Sequence, residues 1–290
     1  MAAMNDTVRE VIRAREAALT RAERQIAAAI LADYPVSALG PITRLAEAAS
    51  VSTPTVARLV QKLGYKGFAE FQSALREELA AQISSPIAKH ERWAGEAPAG
   101  HALNRFTESV IGNIRQTLAH IDPASFDRTA ALLADTGRQV FVAGGRITHV
   151  LAEYLYLHLQ VIRPGVRHIS AMSSVWPHAV LDMNRGDVLV IYDMRRYQNA
   201  VLKLAEIAEA RGLVIVLVTD QWRSPVSRHA AETFACRIEV PSAWDSTAVL
   251  LLLSETLIAA VQESAWQLTR ARMSELEAVF DDTRIFRKFV

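Results

Sequence analysis

The chain has 290 residues, a length that fits two ordinary domains better than one. Hydrophobic residues make up 51% of it, which is enough for substantial cores and too much for a disordered chain. The formal net charge is only +1, so no global basic field points to nucleic acid. Any DNA-binding signal must therefore be local.

Cysteine content and hydropathy indicate the compartment. Cys236 is the only cysteine, which excludes an internal disulfide framework and fits a reducing environment. The first residues lack the apolar core of a signal peptide. The most apolar stretch, 247–261, contains Ser254 and Glu255 and is shorter than the roughly 20 residues of a membrane span. We therefore expect a cytoplasmic protein with no membrane anchor, in which 247–261 forms a buried helix.

Helical periodicity dominates residues 1–80. Thr20 stands three residues before Glu23, a capping-box pattern, and apolar residues then recur every three to four positions. Pro35 is expected to end that helix and Pro41 to open the next. No strand-like alternation occurs in this half of the sequence. We predict an all-helical domain.

The pattern changes after a breaker-rich stretch, 81–105, which we predict to be a linker. Short apolar runs rich in β-branched residues then alternate with helical segments, as in a parallel sheet covered by helices on both faces. Five strands are expected, at 140–143, 166–169, 188–192, 214–218 and 236–240. They predict an α/β domain over 106–265, followed by a helical tail at 266–290.

Two helices joined by a tight turn at Ser50 and Val51 are predicted within residues 42–64. Ser52 is expected to cap the second helix by accepting backbone N–H groups, and Gly64 to end it. The apolar residues of the two helices fall on facing sides: they are Leu45, Ala46, Ala49, Val56, Leu59, Val60 and Leu63. This arrangement is typical of a helix-turn-helix.

The opposite side of the second helix carries hydroxyl and cationic residues. In a helix-turn-helix this side enters the major groove, where Arg58 can bind a guanine edge bidentately. Lys62 and Lys66 are placed for phosphates, and no acidic residue occurs between Glu47 and Glu70. An αα-hairpin with an ordinary solvated face is the alternative. The predicted DNA-binding residues are Thr43, Arg44, Ser52, Thr53, Thr55, Arg58, Lys62 and Lys66.

Segments 19–26, 42–59 and 62–71 resemble the RpiR family of transcriptional regulators, most specifically at Leu63-Gly-Tyr-Lys-Gly-Phe68. In that family the helix-turn-helix precedes a sugar isomerase (SIS) domain, a flavodoxin-like α/β sandwich, which matches the predicted α/β half. The resemblance implies a homodimer or homotetramer whose DNA affinity changes when the SIS domain binds a metabolite, often a phosphosugar. A dimer implies a roughly palindromic operator on double-stranded DNA.

Ligands of open parallel sheets bind beyond the carboxyl ends of the strands. The first loop there, 144–149, matches the Gly-x-Gly-x-Ser pattern of SIS domains at Gly144 and Thr148, whereas Arg146 replaces the second glycine. The Thr148 hydroxyl and the N-terminus of the following helix both suit an anion.

The second loop, 193–198, differs more from SIS phosphosugar sites, whose Ser-x-Ser-Gly-x-Thr hydroxyls are all absent. Arg195 and Arg196 stand there instead, and guanidinium groups bind phosphate or carboxylate. We expect a small anionic effector, a phosphosugar or a carboxylate; the alternative for these arginines is an interdomain or intersubunit salt bridge. Ser224 and Ser246 either complete the site or cap helices. The predicted effector-binding residues are Gly144, Gly145, Arg146, Thr148, Asp193, Arg195, Arg196, Tyr197, Ser224 and Ser246.

Neither a metal nor a cofactor is expected. The glycine fingerprint of a dinucleotide site is incomplete, because Arg146 and His149 stand where later glycines belong. Four histidines of the α/β half lack metal-ligand spacing: His149, His158, His168 and His178.

The competing function is a phosphosugar isomerase, because a fold does not determine chemistry. Proton abstraction beside a carbonyl needs a placed base, for which Glu153 and Glu255 are the candidates. Nothing in the sequence pairs them with a phosphate loop, and the attached helix-turn-helix argues against an enzyme. We expect a DNA-binding regulator without catalytic residues.

Overall fold

The computed structural model describes residues 6–96 and 100–286. The chain divides into two compact units, Met1–Ser85 and Pro86–Val290. The predicted linker at 81–105 is largely helical where it is described, and residues 97–99 lie outside the described part. Ser84 and Pro86 end one helix and begin the next rather than extending a loop, since proline is favoured in the first turn of a helix.

The described residues of the first unit form helices and no strand, as the periodicity predicts. The five α-helices are α1 Val8–Ala14, α2 Arg21–Ala32, α3 Ile42–Ala48, α4 Thr53–Lys62 and α5 Phe68–Ile83. The capping box of α2 is present, with Thr20 and Glu23 bonded to each other's backbone N–H. One apolar core joins these helices, and Ile26, Leu59 and Phe71 are fully buried in it.

The second unit contains eight α-helices and five strands among its described residues. The helices are α6 Pro86–Glu96, α7 Ala102–His120, α8 Pro123–Ala134, α9 His149–Ile162, α10 Trp176–Leu181, α11 Asn199–Ala210, α12 Ala248–Ser264 and α13 Trp266–Thr283. The strands are β1 Val140–Gly144, β2 Val166–His168, β3 Val188–Asp193, β4 Val214–Asp220 and β5 Glu232–Cys236.

All five strands are parallel, in the order β2-β1-β3-β4-β5. Alternate side chains of a strand point to opposite faces of the sheet. Leu189 and Ile191 pack in one core with α10 and α11. Tyr192 faces the other way and shares a hydrogen bond of 2.7 Å with Ser254 of α12. The sheet is therefore covered on both sides, and every strand ends at the same edge.

The last strand lies earlier than predicted. β5 spans Glu232–Cys236, so the expected strand at 236–240 is wrong beyond its first residue. The backbone N–H groups that follow do not join the sheet: that of Arg237 donates to the Thr117 hydroxyl over 2.9 Å, and that of Ile238 to the Gln221 side chain over 3.2 Å. Side chains from elsewhere in the chain thus replace the ladder partners that a strand needs.

The final two helices differ in burial. The predicted buried helix at 247–261 is confirmed as α12, in which Leu250, Leu257 and Val261 are fully buried. α13 packs on α9, where Arg272 donates to the Gln160 carbonyl over 2.7 Å, and residues 287–290 of the predicted tail lie outside the described part. Within the described ranges no single helix has the length and hydropathy to cross a membrane; only α12 and α13 together pass that test, and they are bent by 99°.

Candidate functional site

Helices α3 and α4 form the predicted two-helix unit. Ser50 turns the chain between them with a left-handed backbone (φ 54°), and Val51 packs against the core. All seven apolar residues expected to face inward are buried, at 5% exposure or less. Gly64 ends the unit with φ 102°, a conformation that glycine adopts at no steric cost. The unit therefore turns its polar side outward.

The outer face of α4, formed by Ser52, Thr53, Thr55 and Arg58, carries a chain of side-chain hydrogen bonds. The hydroxyls of Ser52 and Thr55 lie 2.8 Å apart, and an Arg58 guanidinium nitrogen donates to Thr55 over 3.3 Å. Ser52 precedes the helix as predicted, but its hydroxyl accepts no backbone N–H, so its expected capping bond is wrong. Its hydroxyl is bonded to Thr55 instead, and both Ser52 and Arg58 are exposed.

Lys62 is not a free cation on this surface. Its ammonium group donates to the Glu23 carboxylate over 2.7 Å and to the Ala18 carbonyl over 2.8 Å. Lys66 is exposed, but the Glu70 carboxylate accepts from its backbone N–H. The expectation of an acid-free surface is therefore wrong for Lys62, because folding brings in a carboxylate 39 residues away in sequence.

The remaining predicted DNA-binding residues, Thr43 and Arg44, are exposed on α3. Arg44 lies close to the turn before α3, where its Cδ is 3.7 Å from the position that a Cβ on Gly40 would take. Both side chains are thus accessible from the surface of the two-helix unit.

At the carboxyl edge of the sheet, Gly144 and Thr148 join β1 to α9. A Cβ on Gly144 would lie 2.6 Å from the backbone of Thr148, so only glycine fits this close approach of strand and helix. The buried Thr148 hydroxyl donates to the Tyr192 carbonyl over 2.6 Å and accepts from the Gly145 N–H over 2.8 Å. Both of these contacts are internal, so Thr148 ties the ends of β1 and β3 together.

Arg195 is buried in an intramolecular salt bridge. Its guanidinium group donates twice to the Asp245 carboxylate, over 2.8 and 2.7 Å, and lies 4.3 Å from the centre of the Trp222 ring. Glu239 approaches it at 3.6 Å. Arg196 differs, because its side chain is exposed. An interdomain or intersubunit salt bridge was the alternative to effector binding for these arginines. Arg195 does form a salt bridge, but its partner lies in the same unit of the chain.

Two buried carboxylates lie beside this salt bridge, at the ends of β3 and β4. Burial raises the pKa of Asp193 to about 7, and Ser224 donates a hydrogen bond to its carboxylate. Burial also raises the pKa of Asp220 to about 6; its carboxylate accepts from the Tyr197 hydroxyl over 2.7 Å and from the Arg195 backbone N–H over 2.7 Å. The carboxyl edge of the sheet therefore carries two titratable acids next to the salt-bridged guanidinium group of Arg195.

Both predicted serines accept a backbone N–H from two residues later, and Ser224 is the N-cap of its helix. The Ser224 hydroxyl accepts from the Val226 N–H over 3.2 Å, and the Ser246 hydroxyl from the Ala248 N–H over 3.3 Å, at the starts of a 3-10 helix and of α12. Arg146 is exposed in the first loop. Among the predicted effector residues, Arg146 and Arg196 are therefore the exposed cations.

Sequence reasoning missed Lys89 and Glu239 as parts of this region, and it assigned Asp245 only to the segment that caps α12. Lys89 is 2% exposed and pairs with Asp245. No local pattern marks Lys89, since the ion pair spans 156 residues. Asp220 could be placed from the sequence, because it stands two residues after the apolar run 214–218, at the edge where ligands of such sheets bind.

Two family profiles match the chain. The helix-turn-helix domain of the rpiR family matches residues 7–82, and the SIS domain matches residues 132–260. Together they cover most of the sequence. The chain belongs to the RpiR family of transcriptional regulators. As the sequence predicts, the first unit, Met1–Ser85, carries the helix-turn-helix domain of this family and the second unit, Pro86–Val290, carries the SIS domain. We call them the reading unit and the SIS unit.

Individual relatives of this RpiR-family chain are distant in sequence. The HTH-type transcriptional regulator HexR of Pseudomonas aeruginosa is 25% identical over 243 residues, 81% of this chain and 80% of that protein. The bifunctional protein glk of Paraburkholderia xenovorans is 25% identical over 227 residues; the match covers 78% of this chain but only 34% of that protein. The chain thus spans about a third of the length of the first curated relatives that it matches.

The fold is shared with a solved structure, the sugar isomerase domain of an RpiR transcription factor from Sphaerobacter thermophilus. It aligns with a TM-score of 0.55 and 19% identity, over 61% of this chain and 97% of that one. At this identity the similarity shows the fold of the SIS unit.

Proposed function

We propose that the regulator reads DNA with the outer face of α4. The observation that carries this proposal is the exposed Ser52–Thr55–Arg58 hydrogen-bonded chain, which holds a guanidinium group on the side of the second helix that faces away from the core. In helix-turn-helix proteins this side lies in the major groove, where arginine binds guanine bidentately. Thr43, Arg44 and Lys66 supply exposed flanking contacts.

We further propose that the SIS unit binds a small anionic metabolite, a phosphosugar or a carboxylate, at the carboxyl edge of the sheet. Arg146 and Arg196 are exposed cations on the two loops there, and α9 begins directly behind the first loop. Cations and a helix N-terminus both favour an anion. The anionic group of the effector is bound by these cations. The walls of the site are formed by Gly145, Tyr197 and the buried acids Asp193 and Asp220.

The chain is proposed to act as a regulator and not as an isomerase. Glu255, one of the two candidate bases, accepts a hydrogen bond from Tyr154 over 3.0 Å on the surface, and Glu153 is exposed on α9. A general base must instead lie within hydrogen-bond reach of the proton that it removes. We also propose a cytoplasmic homodimer or homotetramer, whose paired reading units select a roughly palindromic operator.

Selection from a random pool of DNA duplexes with the full chain tests the first proposal. The selected duplex is expected to bind with an affinity that falls by a factor of ten or more, on the order of 10³ for about six phosphate contacts, between 50 and 200 mM salt. Failure to enrich any duplex would refute it. A thermal-shift screen of phosphosugars and small carboxylic acids tests the effector class; stabilisation by neutral ligands alone contradicts it.

A further inference from the structure

A buried cluster of charges, the ionic cluster, consists of Lys89, Arg195, Glu239 and Asp245. Asp245 is its centre, since its carboxylate accepts from the Lys89 ammonium group and twice from the Arg195 guanidinium group. The two cations are almost completely buried, with side-chain exposures of 2% and 3%. Buried charges of this kind must stay paired, because removing one partner leaves the other charge uncompensated.

The ionic cluster joins three parts of the SIS unit. Lys89 comes from α6, Arg195 from the loop after β3, and Asp245 from the segment before α12. A fourth element, α7, holds that segment: Asn113 donates to the Glu239 carbonyl over 2.8 Å. The loop proposed to bind the effector is thus tied through two consecutive ion pairs to α6.

α6 directly continues the reading unit along the chain. Phe71 and Leu75 of α5 are buried in the core of the first unit, and α5 ends at Ile83. Only Ser84 and Ser85 separate this end from the start of α6. The chain thus passes through two residues from the helix that leaves the core of the reading unit to the helix that carries Lys89.

On the basis of the proposed function, we propose that the ionic cluster transmits the effector signal to the reading unit. An anion bound by Arg196 shifts the loop that also carries Arg195. Asp245 then moves with Arg195, and Lys89 moves with Asp245, because each of these buried charges must stay next to its partner. The effector then changes DNA affinity because the two arrangements of α6 bind DNA unequally.

The test compares Lys89→Met with the wild-type chain on the duplex selected by the wild type. The variant keeps the length of the side chain but removes its charge, so it breaks the link to Asp245 without touching the proposed DNA or effector residues. Its Kd is expected to change by a factor of about 5 to 150, the usual range of allosteric coupling. Lys89→Arg keeps the ion pair and is expected to bind DNA like the wild type.

Lys203→Met is the matched control, since Lys203 is exposed and pairs only locally with Glu206 over 2.8 Å. Tryptophan fluorescence reports folding of the SIS unit, because all five tryptophans lie after residue 85. Should Lys89→Met not fold, Lys89→Gln, which can still donate to Asp245 but lacks the charge, takes its place. A folded Lys89→Met variant with wild-type Kd, or a folded Lys89→Gln variant where it replaces Lys89→Met, overturns the proposal.

A double variant distinguishes one pathway from two separate effects. If Lys89 and Arg195 act through Asp245, Lys89→Met and Arg195→Met together should change the Kd no more than the larger single change; multiplying effects would overturn the link. Failure of the wild type to select any duplex would instead refute the proposed function itself. The two failures are therefore distinguishable.

Discussion

The Lys62 ammonium group donates to the Glu23 carboxylate over 2.7 Å, which fastens the end of α4 to the start of α2. The same Glu23 oxygen accepts the backbone N–H of Thr20 in the capping box. One carboxylate therefore serves both the cap of α2 and the position of the proposed reading helix. We therefore expect Lys62 to influence DNA binding mainly by fixing the position of α4 and less as a phosphate contact.

Glu23→Gln is expected to loosen the end of α4 in a pH-dependent way. The hydrogen bond from Lys62 lowers the pKa of Glu23, so its stabilisation is present above the ordinary carboxyl pKa and is lost as the pH falls through the lowered value. Such partly exposed pairs contribute less than about 1 kcal/mol. Amide-exchange protection of α4 should be lower in the variant than in the wild type at pH 6, and this difference should shrink as the pH falls below the ordinary carboxyl pKa. Glu16→Gln should match the wild type throughout.

Arg58→Ala is expected to weaken binding to the selected duplex by roughly 1–3 kcal/mol, the value of one bidentate base contact. The stability of the variant should not change, because Arg58 is exposed and its guanidinium group donates to Thr55 on the same helix. Fluorescence anisotropy with the selected duplex and a single-base variant measures both affinity and preference. Unchanged affinity and preference would remove Arg58 from the reading face, and Lys203→Ala controls for the loss of one positive charge.

The parallel sheet and the helix-turn-helix could be predicted from sequence because both leave local patterns. β3 and β4 are apolar runs, and α4 repeats its buried positions at helical spacing. The ion pairs could not be predicted, since Lys62 and Lys89 find their partners 39 and 156 residues away. The last strand was misplaced for a related reason: the N–H of Arg237 is satisfied by Thr117, 120 residues earlier.

Thr148→Val is expected to destabilise the SIS unit by about 0.5–1.5 kcal/mol, because it removes the hydroxyl that bonds to the Tyr192 carbonyl and the Gly145 N–H, while these two backbone groups keep their own bond of 3.2 Å. Thr148→Ser retains the hydroxyl and should lose much less. Urea unfolding followed by tryptophan fluorescence measures the difference. Equal midpoints for valine and serine would show that the hydroxyl does not hold β1 to β3.

Asp193→Asn is expected to reduce the pH dependence of SIS-unit stability. Burial raises the folded-state pKa of Asp193 to about 7, above its ordinary value of 3.8. Ionising it therefore disfavours the folded state, and wild-type stability should fall as the pH rises from about 4 to 7. The urea midpoint should fall less between pH 5 and pH 8 in the variant; part of the fall should remain, because Asp220 has a pKa of about 6. The exposed Glu263→Gln should keep the wild-type fall.

The neighbouring arginines of the second loop should behave oppositely when each is replaced. Arg196→Ala removes an exposed side chain, so stability should stay within about 0.5 kcal/mol while the effector no longer changes DNA affinity. Arg195→Ala leaves Asp245 with one buried partner fewer and should cost on the order of 3–5 kcal/mol. Urea unfolding, together with anisotropy in the presence of the best thermal-shift ligand, separates the two roles. A full effector response in Arg196→Ala would move the anion site away from this loop.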